Sequence, residues 1–190
     1  LDACGYEKFL PDAIAQKTQV AGESDIVSGL VRPYIMAFSA LSAHKNIGRL
    51  IEAFGTIAQS VTHDLVLVGH MPVKAAMRAE LEAAGGDERI HFTGYVSDSH
   101  VASLMQNASL FAFPSLYEGF GLPLLDAQNA GVPVACSSAG SLPEIAGGAA
   151  ILFDPLSIED MAAALKKGLL DADLRAELVT KGLENAHSFS

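Results

Sequence analysis

The stretch Leu110–Ser138, LFAFPSLYEGFGLPLLDAQNAGVPVACSS, changes its periodicity twice. Residues 110–115 are a short, mostly apolar run, and residues 133–138 are another. Such runs suit strands of a parallel sheet covered on both faces. Between them a helix is predicted from near Gly121 to Gly131. Pro123 suits its first turn, where a missing N–H costs nothing, and Gly131 suits the position just past its end. Strand, loop, helix, turn and strand in that order form the crossover unit of a parallel sheet.

The alternation continues in both directions. Upstream, residues 34–40, 65–69 and 90–94 read as strands, and downstream residues 150–153 make a sixth. Ile47, Leu50, Ile51, Phe54, Ile57 and Ala58 share one helical face. Val73, Met77 and Leu81 mark a second helix, and Val101, Leu104, Met105 and Ala108 a third. Ser157, with Asp160 three residues on, opens a last helical pair that includes Ile158, Met161, Leu165 and Leu169. The expected architecture is α/β, a doubly wound, Rossmann-like parallel sheet over residues 34–190. Residues 1–33 hold scattered Gly, Asp and Pro without a period and read as a lead-in or linker. The last helical stretch stops at Ser188-Phe189-Ser190 with no closing element, so both ends are expected to be cut from something longer.

Composition narrows the function classes. Half of the 190 residues are apolar and 18% are charged, which excludes wholesale disorder. Twelve basic residues stand against 22 acidic ones, a formal charge of −10. Such a chain is repelled by nucleic acid and by anionic bilayers, so neither is an expected partner. Any phosphate must be held locally, by amides and one or two cations. Cys4 and Cys136 are too few for a disulfide scaffold, and Cys136 reads as a small buried hydrophobe. No stretch reaches the length of a membrane span, and no basic segment followed by an apolar core opens the chain. The expectation is a soluble, cytoplasmic domain or a fragment of a larger protein. The six histidines have no metal-ligand spacing and no evident acid partner. His63, His70, His91 and His187 read as structural or solvated, and no metal is expected.

A doubly wound sheet binds its ligand beyond the carboxyl ends of the strands, where the strand order reverses. With the order 3-2-1-4-5-6 that crevice lies between the first and fourth strands, faced by the loops 39–46 and 115–121. The second loop carries Glu118, Gly119, Phe120, Gly121 and Leu122. Its glycines permit close backbone approach, and the amides of Gly119 to Leu122 would leave a helix N-terminus as an anion site. Glu118 beside a phosphate has two readings: it faces a hydroxyl-rich group next to that phosphate, or it caps the helix. Asp126, with seven residues between it and Glu118, could take two vicinal hydroxyls or be an ordinary exposed acid. Lys45 could reach phosphates across the crevice or remain solvated. Ser137-Ser138 and Gly140 line the crevice or form a turn, and Pro143-Glu144 starts a short helix. No Gly-x-Gly-x-x-Gly follows the first strand, which disfavours a dinucleotide site of the usual type, and there is no Walker lysine loop.

The segment from Pro114 to Ala127 resembles the signature of family 4 retaining glycosyltransferases of the GT-B fold. The resemblance extends to Gly131-Val132-Pro133-Val134, Pro143-Glu144-Ile145, Lys45-Asn46, Leu67-Val68-Gly69 and Phe92-Thr93-Gly94-Tyr95-Val96, with Gly5 to Pro11 similar to the interdomain lead-in. It implies the C-terminal, donor-binding half of such an enzyme, transferring a sugar from a nucleoside-diphosphate sugar, often GDP-mannose in relatives with this loop. By the same resemblance Glu118 faces the donor sugar and Lys45 binds the diphosphate. Gly119, Phe120 and Gly121 contact sugar and diphosphate through their backbone. Asp126 stands where the ribose-binding acid is usually Glu. Ser39 stands where an arginine is often found, and Tyr95 and Val96 match the loop that meets the base. The family needs no metal or other cofactor. Its acceptor site lies in an N-terminal domain with no counterpart here, and any peripheral membrane association would come through that domain. The final crossing helix is also without a counterpart, so little turnover is expected from this half alone. Two other classes remain: a non-catalytic sugar-nucleotide-binding subunit, and a regulatory flavodoxin-like domain.

Overall fold

The structure, a computed structural model, describes residues 30–39, 42–69 and 89–189. Most of the 1–33 lead-in, Cys4, His70 and the helix expected around Val73, Met77 and Leu81 lie outside the described residues.

Among the described residues six strands, β1 (Tyr34–Phe38), β2 (Asp64–Val68), β3 (Ile90–Gly94), β4 (Leu110–Phe113), β5 (Val134–Ser137) and β6 (Ile151–Phe153), pair in parallel in the order β3-β2-β1-β4-β5-β6. The reversal therefore falls between β1 and β4, where it was expected. The helices are α1 (Ile47–Ile57), α2 (Asp98–Gln106), α3 (Leu122–Asn129), α4 (Leu142–Ala146), α5 (Ile158–Leu170) and α6 (Ala172–Ser188).

Alternate residues of each strand face opposite sides, and both sides are dry along the inner strands β1, β2, β4 and β5. Ile35, Ala37, Leu65, Leu67, Leu110 and Ala112 pack under α1 and α5, whereas Tyr34, Met36, Val66, Val68, Phe111 and Phe113 pack under α2, α3 and α4. This double coverage is why the strands read as unbroken apolar runs. Cys136 is fully buried in the second cluster, and burial pushes its thiol up to about 12, so it stays a neutral, inert hydrophobe.

Boundaries differ from expectation for local reasons. The fourth strand stops at Phe113, because Pro114 has no N–H for the ladder. The first stops at Phe38, after which Ser39 N–H still donates to Val68 O at 2.8 Å. Helix α2 starts at Asp98, three residues before its first expected apolar position, with that acid in its first turn. The expected cap of α5 forms: Ser157 Oγ accepts from Asp160 N–H at 3.1 Å. Of the two readings of His91, structural or solvated, the structure shows the first: its Nε2 lies 3.0 Å from Oδ2 of Asp64, an acid partner not evident in the sequence. That buried carboxylate also takes Arg89 Nε at 3.3 Å and Arg32 Nη1 at 3.5 Å. A neighbouring strand brings the two together, so no local sequence pattern reveals the pair.

Candidate functional site

The loops following β1 and β4 meet at the carboxyl ends of their strands. After Ser42, residues Ala43–Lys45 make one 3-10 turn that ends on Asn46 at φ 57°, the one non-glycine residue with positive φ among the described residues. Asn tolerates that conformation, and here the side chain is what makes it worth holding. Asn46 is buried, and its Nδ2 donates to Pro114 O at 3.0 Å and to Pro155 O at 2.7 Å. Its Oδ1 accepts from Arg49 Nη1 at 2.9 Å. One amide thus joins the loops after β1, β4 and β6. A backbone bond from Leu116 N–H to His44 O, 2.8 Å, adds a second tie between the first two loops.

Across this seam Lys45 Nζ donates to Glu118 Oε1 at 2.7 Å, and both side chains are largely sheltered, with 21% and 15% of their surface exposed. The ammonium also lies 5.6 Å from the centre of the Phe113 ring. The capping reading of Glu118 is overturned: the N-cap of α3 is Gly121, φ 105°, and no side chain caps it. Lys45 is correspondingly not a solvated lysine. Ser141 Oγ donates to the carbonyls of Glu118 at 3.1 Å and Phe120 at 3.3 Å, holding the loop from the side of β5. The amides of Gly119, Phe120, Gly121 and Leu122 donate to no other described residue. Among the described residues they are thus left without a partner, at the start of a helix with Pro123 in its first turn, the setting that suits an anion. A Cβ on Gly119 would meet nothing within 4 Å, whereas at Gly121 it would stand 2.8 Å from Leu142 Cδ2 on top of the positive φ.

Other expected residues fall around this centre unevenly. Asp126 is half-buried on α3, and burial raises its carboxyl to about 6. Phe120 and Leu122 are exposed on the rim, and Phe120 meets Phe189 edge to face with ring centres 5.9 Å apart. Ser39 is buried and occupied: its Oγ donates to Gly69 O at 3.2 Å. Tyr95 is exposed, but the Val96 side chain is buried in the second core cluster, which leaves only its main chain for a ligand. Ser137, expected to line the crevice or form a turn, is buried and accepts Ala139 N–H at 3.0 Å, the turn reading. Among the described residues no group of three or more His, Cys, Asp or Glu could hold a metal ion.

Three participants escaped the sequence reading: the side chain of Asn46, the hydroxyl of Ser141 and Ser115. The Ser115 Oγ is fully buried in the β4–α3 loop, without a hydrogen-bond partner among the described residues. Only Asn46 left a signal, an αL-tolerant residue immediately before a helical face.

Residues 27–184 match the family model described as glycosyl transferases group 1. The O-antigen chain mannosyltransferase B of Escherichia coli is 34% identical over 160 residues, covering 83% of this chain and 42% of that protein. A GDP-mannose-dependent alpha-(1-6)-phosphatidylinositol monomannoside mannosyltransferase of Mycobacterium tuberculosis is 28% identical over 192 residues, covering 94% of this chain and 48% of that protein. The chain thus spans less than half the length of these relatives. Among solved structures, the C-terminal domain of a glycosyl transferase group 1 family protein from Francisella tularensis superposes with a TM-score of 0.73 at 23% identity, over 89% of this chain and 93% of that one. That likeness concerns the fold. With the family model covering most of the chain, this protein belongs to the group 1 glycosyl transferases.

Proposed function

We propose that the chain binds a nucleoside-diphosphate sugar and forms the donor half of a retaining, metal-independent glycosyltransferase, with an acceptor-binding domain outside this sequence. The observation that carries the reading is the meeting of Lys45, Glu118 and four amides without a partner among the described residues at the β1–β4 reversal. Free amides at a helix start favour an anion, and one ammonium beside them offsets part of a diphosphate's charge. The same groups would stabilise the diphosphate as it leaves, a task that preorganised dipoles perform well when water is excluded. Glu118 would orient the sugar through its hydroxyls, and Asp126 would meet the ribose. Because relatives are named as mannosyltransferases, one of them GDP-mannose-dependent, GDP-mannose is the first donor to try.

The test is a thermal-shift panel with GDP-mannose, UDP-glucose and ADP-glucose, followed by calorimetry on the best donor. One donor is expected to stabilise the protein. Lys45→Ala is expected to weaken its binding about tenfold, the value of one charge-assisted contact. No stabilisation by any of them would remove the proposal. In the intact enzyme Glu118→Ala is expected to abolish transfer without unfolding the protein, and NMR of the product would report whether the anomeric configuration is kept.

A further inference from the structure

We propose that the Lys45–Glu118 ion pair is a latch that lets the site prefer an intact sugar nucleotide over the free nucleoside diphosphate left after transfer. The proposal rests on the donor-site reading above and adds to it a rule for what may stay bound.

Each partner is held at its backbone independently of the pair. Lys45 N–H donates to Ser42 O at 3.1 Å, and the adjoining Asn46 is tied by its amide to two further loops. Glu118 is held through its carbonyl by Ser141 at 3.1 Å. Opening the latch therefore needs only side-chain rotation. The pair is also sheltered enough that neither charge can lose its partner freely: the ammonium sits beside the Phe113 ring, and Glu118 exposes only 15% of its side chain. An unpartnered carboxylate in such a place is costly, and more so with phosphate charge added nearby.

Two ligands then face different costs. A free diphosphate supplies Lys45 with a new partner but strands Glu118 beside extra negative charge. A diphosphate carrying a sugar supplies both: phosphate oxygens for Lys45 and hydroxyl donors for Glu118. The intact donor opens the latch at both ends, while the product satisfies only one end and is pushed out as the latch recloses. The site thereby discriminates by pairing rather than by shape.

The test titrates the intact protein, by calorimetry, with GDP, UDP and ADP and with GDP-mannose, UDP-glucose and ADP-glucose. Wild type, Glu118→Gln, Lys45→Ala and the double variant are compared. For the base that binds, Glu118→Gln is expected to tighten the free diphosphate about fivefold, the scale of one partly sheltered ion pair. It is expected not to tighten the sugar nucleotide, so the preference for the intact donor shrinks. In the Lys45→Ala background the same change is expected to give a clearly smaller gain, about twofold, because charge repulsion is still relieved but no pair remains to be broken. Unchanged or weaker diphosphate binding by Glu118→Gln overturns the latch. So does an equal gain without Lys45, which would be plain charge repulsion. Binding of none of these ligands by wild type overturns the donor-site reading, and the latch with it.

Discussion

The position of Asp126 on α3 decides its protonation. Burial raises its carboxyl to about 6, so near pH 7 the folded protein carries a partly desolvated carboxylate. Since the folded value lies above the unfolded one, the folded state binds the extra proton between roughly pH 4 and 6. Its stabilising contribution is complete below pH 4 and is lost as the pH rises through 6. Asp126→Asn should therefore stabilise the protein at pH 7 by about 1 kcal/mol, after allowing for solvent screening of a half-exposed group. The gain should vanish in urea titrations below about pH 4. If the ionised carboxylate also accepts ribose hydroxyls, nucleotide affinity will climb through pH 6 in the wild type and stay flat in the asparagine variant. Such chemistry was only half legible in the sequence. Glu118 and Lys45 could be singled out by the odd loops they occupy. Their 2.7 Å pairing across 73 positions could not, because no local pattern encodes which side chains two loops bring face to face.

The three loops of the site are positioned by Asn46 more than by any helix. Its amide reaches 68 positions to Pro114 and 109 to Pro155, so one side chain sets the spacing between the carboxyl ends of β1, β4 and β6. Asn46→Ala leaves two buried carbonyls without a donor while keeping a Cβ at φ 57°, and should cost about 3 kcal/mol in urea unfolding. Asn46→Gly removes the same bonds but relieves the backbone, and should cost about 1 kcal/mol less. Equal losses would show that the backbone conformation, not the amide, matters little. The far side of α3 has a comparable tie: Asn185 Nδ2 on α6 donates to Gln128 Oε1 at 2.7 Å and Ile145 O at 2.8 Å, and Gln128 Nε2 reaches Ala146 O at 3.2 Å. The strands and the helices α1, α2 and α5 were readable from apolar period, and α3 and α4 from their Pro and Gly signals. Buried amides like these were not, since they look like any polar residue on a helix or in a loop. Element ends shifted for the same reason, polar first turns such as Asp98–His100 being invisible to a search for apolar faces.

The molecule as a whole carries a formal charge of −10, yet the proposed ligand is itself an anion. Long-range electrostatics must then oppose encounter, while the attraction comes from groups within a few ångströms: one ammonium and the amides opening α3. These two terms respond differently to salt. At about 0.01 M ionic strength the Debye length is roughly 30 Å, long enough for the whole acidic surface to act on an approaching diphosphate, whereas at 0.15 M it falls to about 8 Å. Contacts inside the crevice are screened much less than the distant charges. Raising the salt should therefore speed association of a nucleoside diphosphate with this 190-residue chain, or leave it unchanged, with dissociation nearly constant. A site working through bulk positive charge would show the reverse, an association rate that falls steeply over the same range. Stopped-flow measurements with a fluorescent nucleotide at 0.01 and 0.15 M salt separate the two. A steep fall would mean that the local amides of α3 are not what draws the phosphate in.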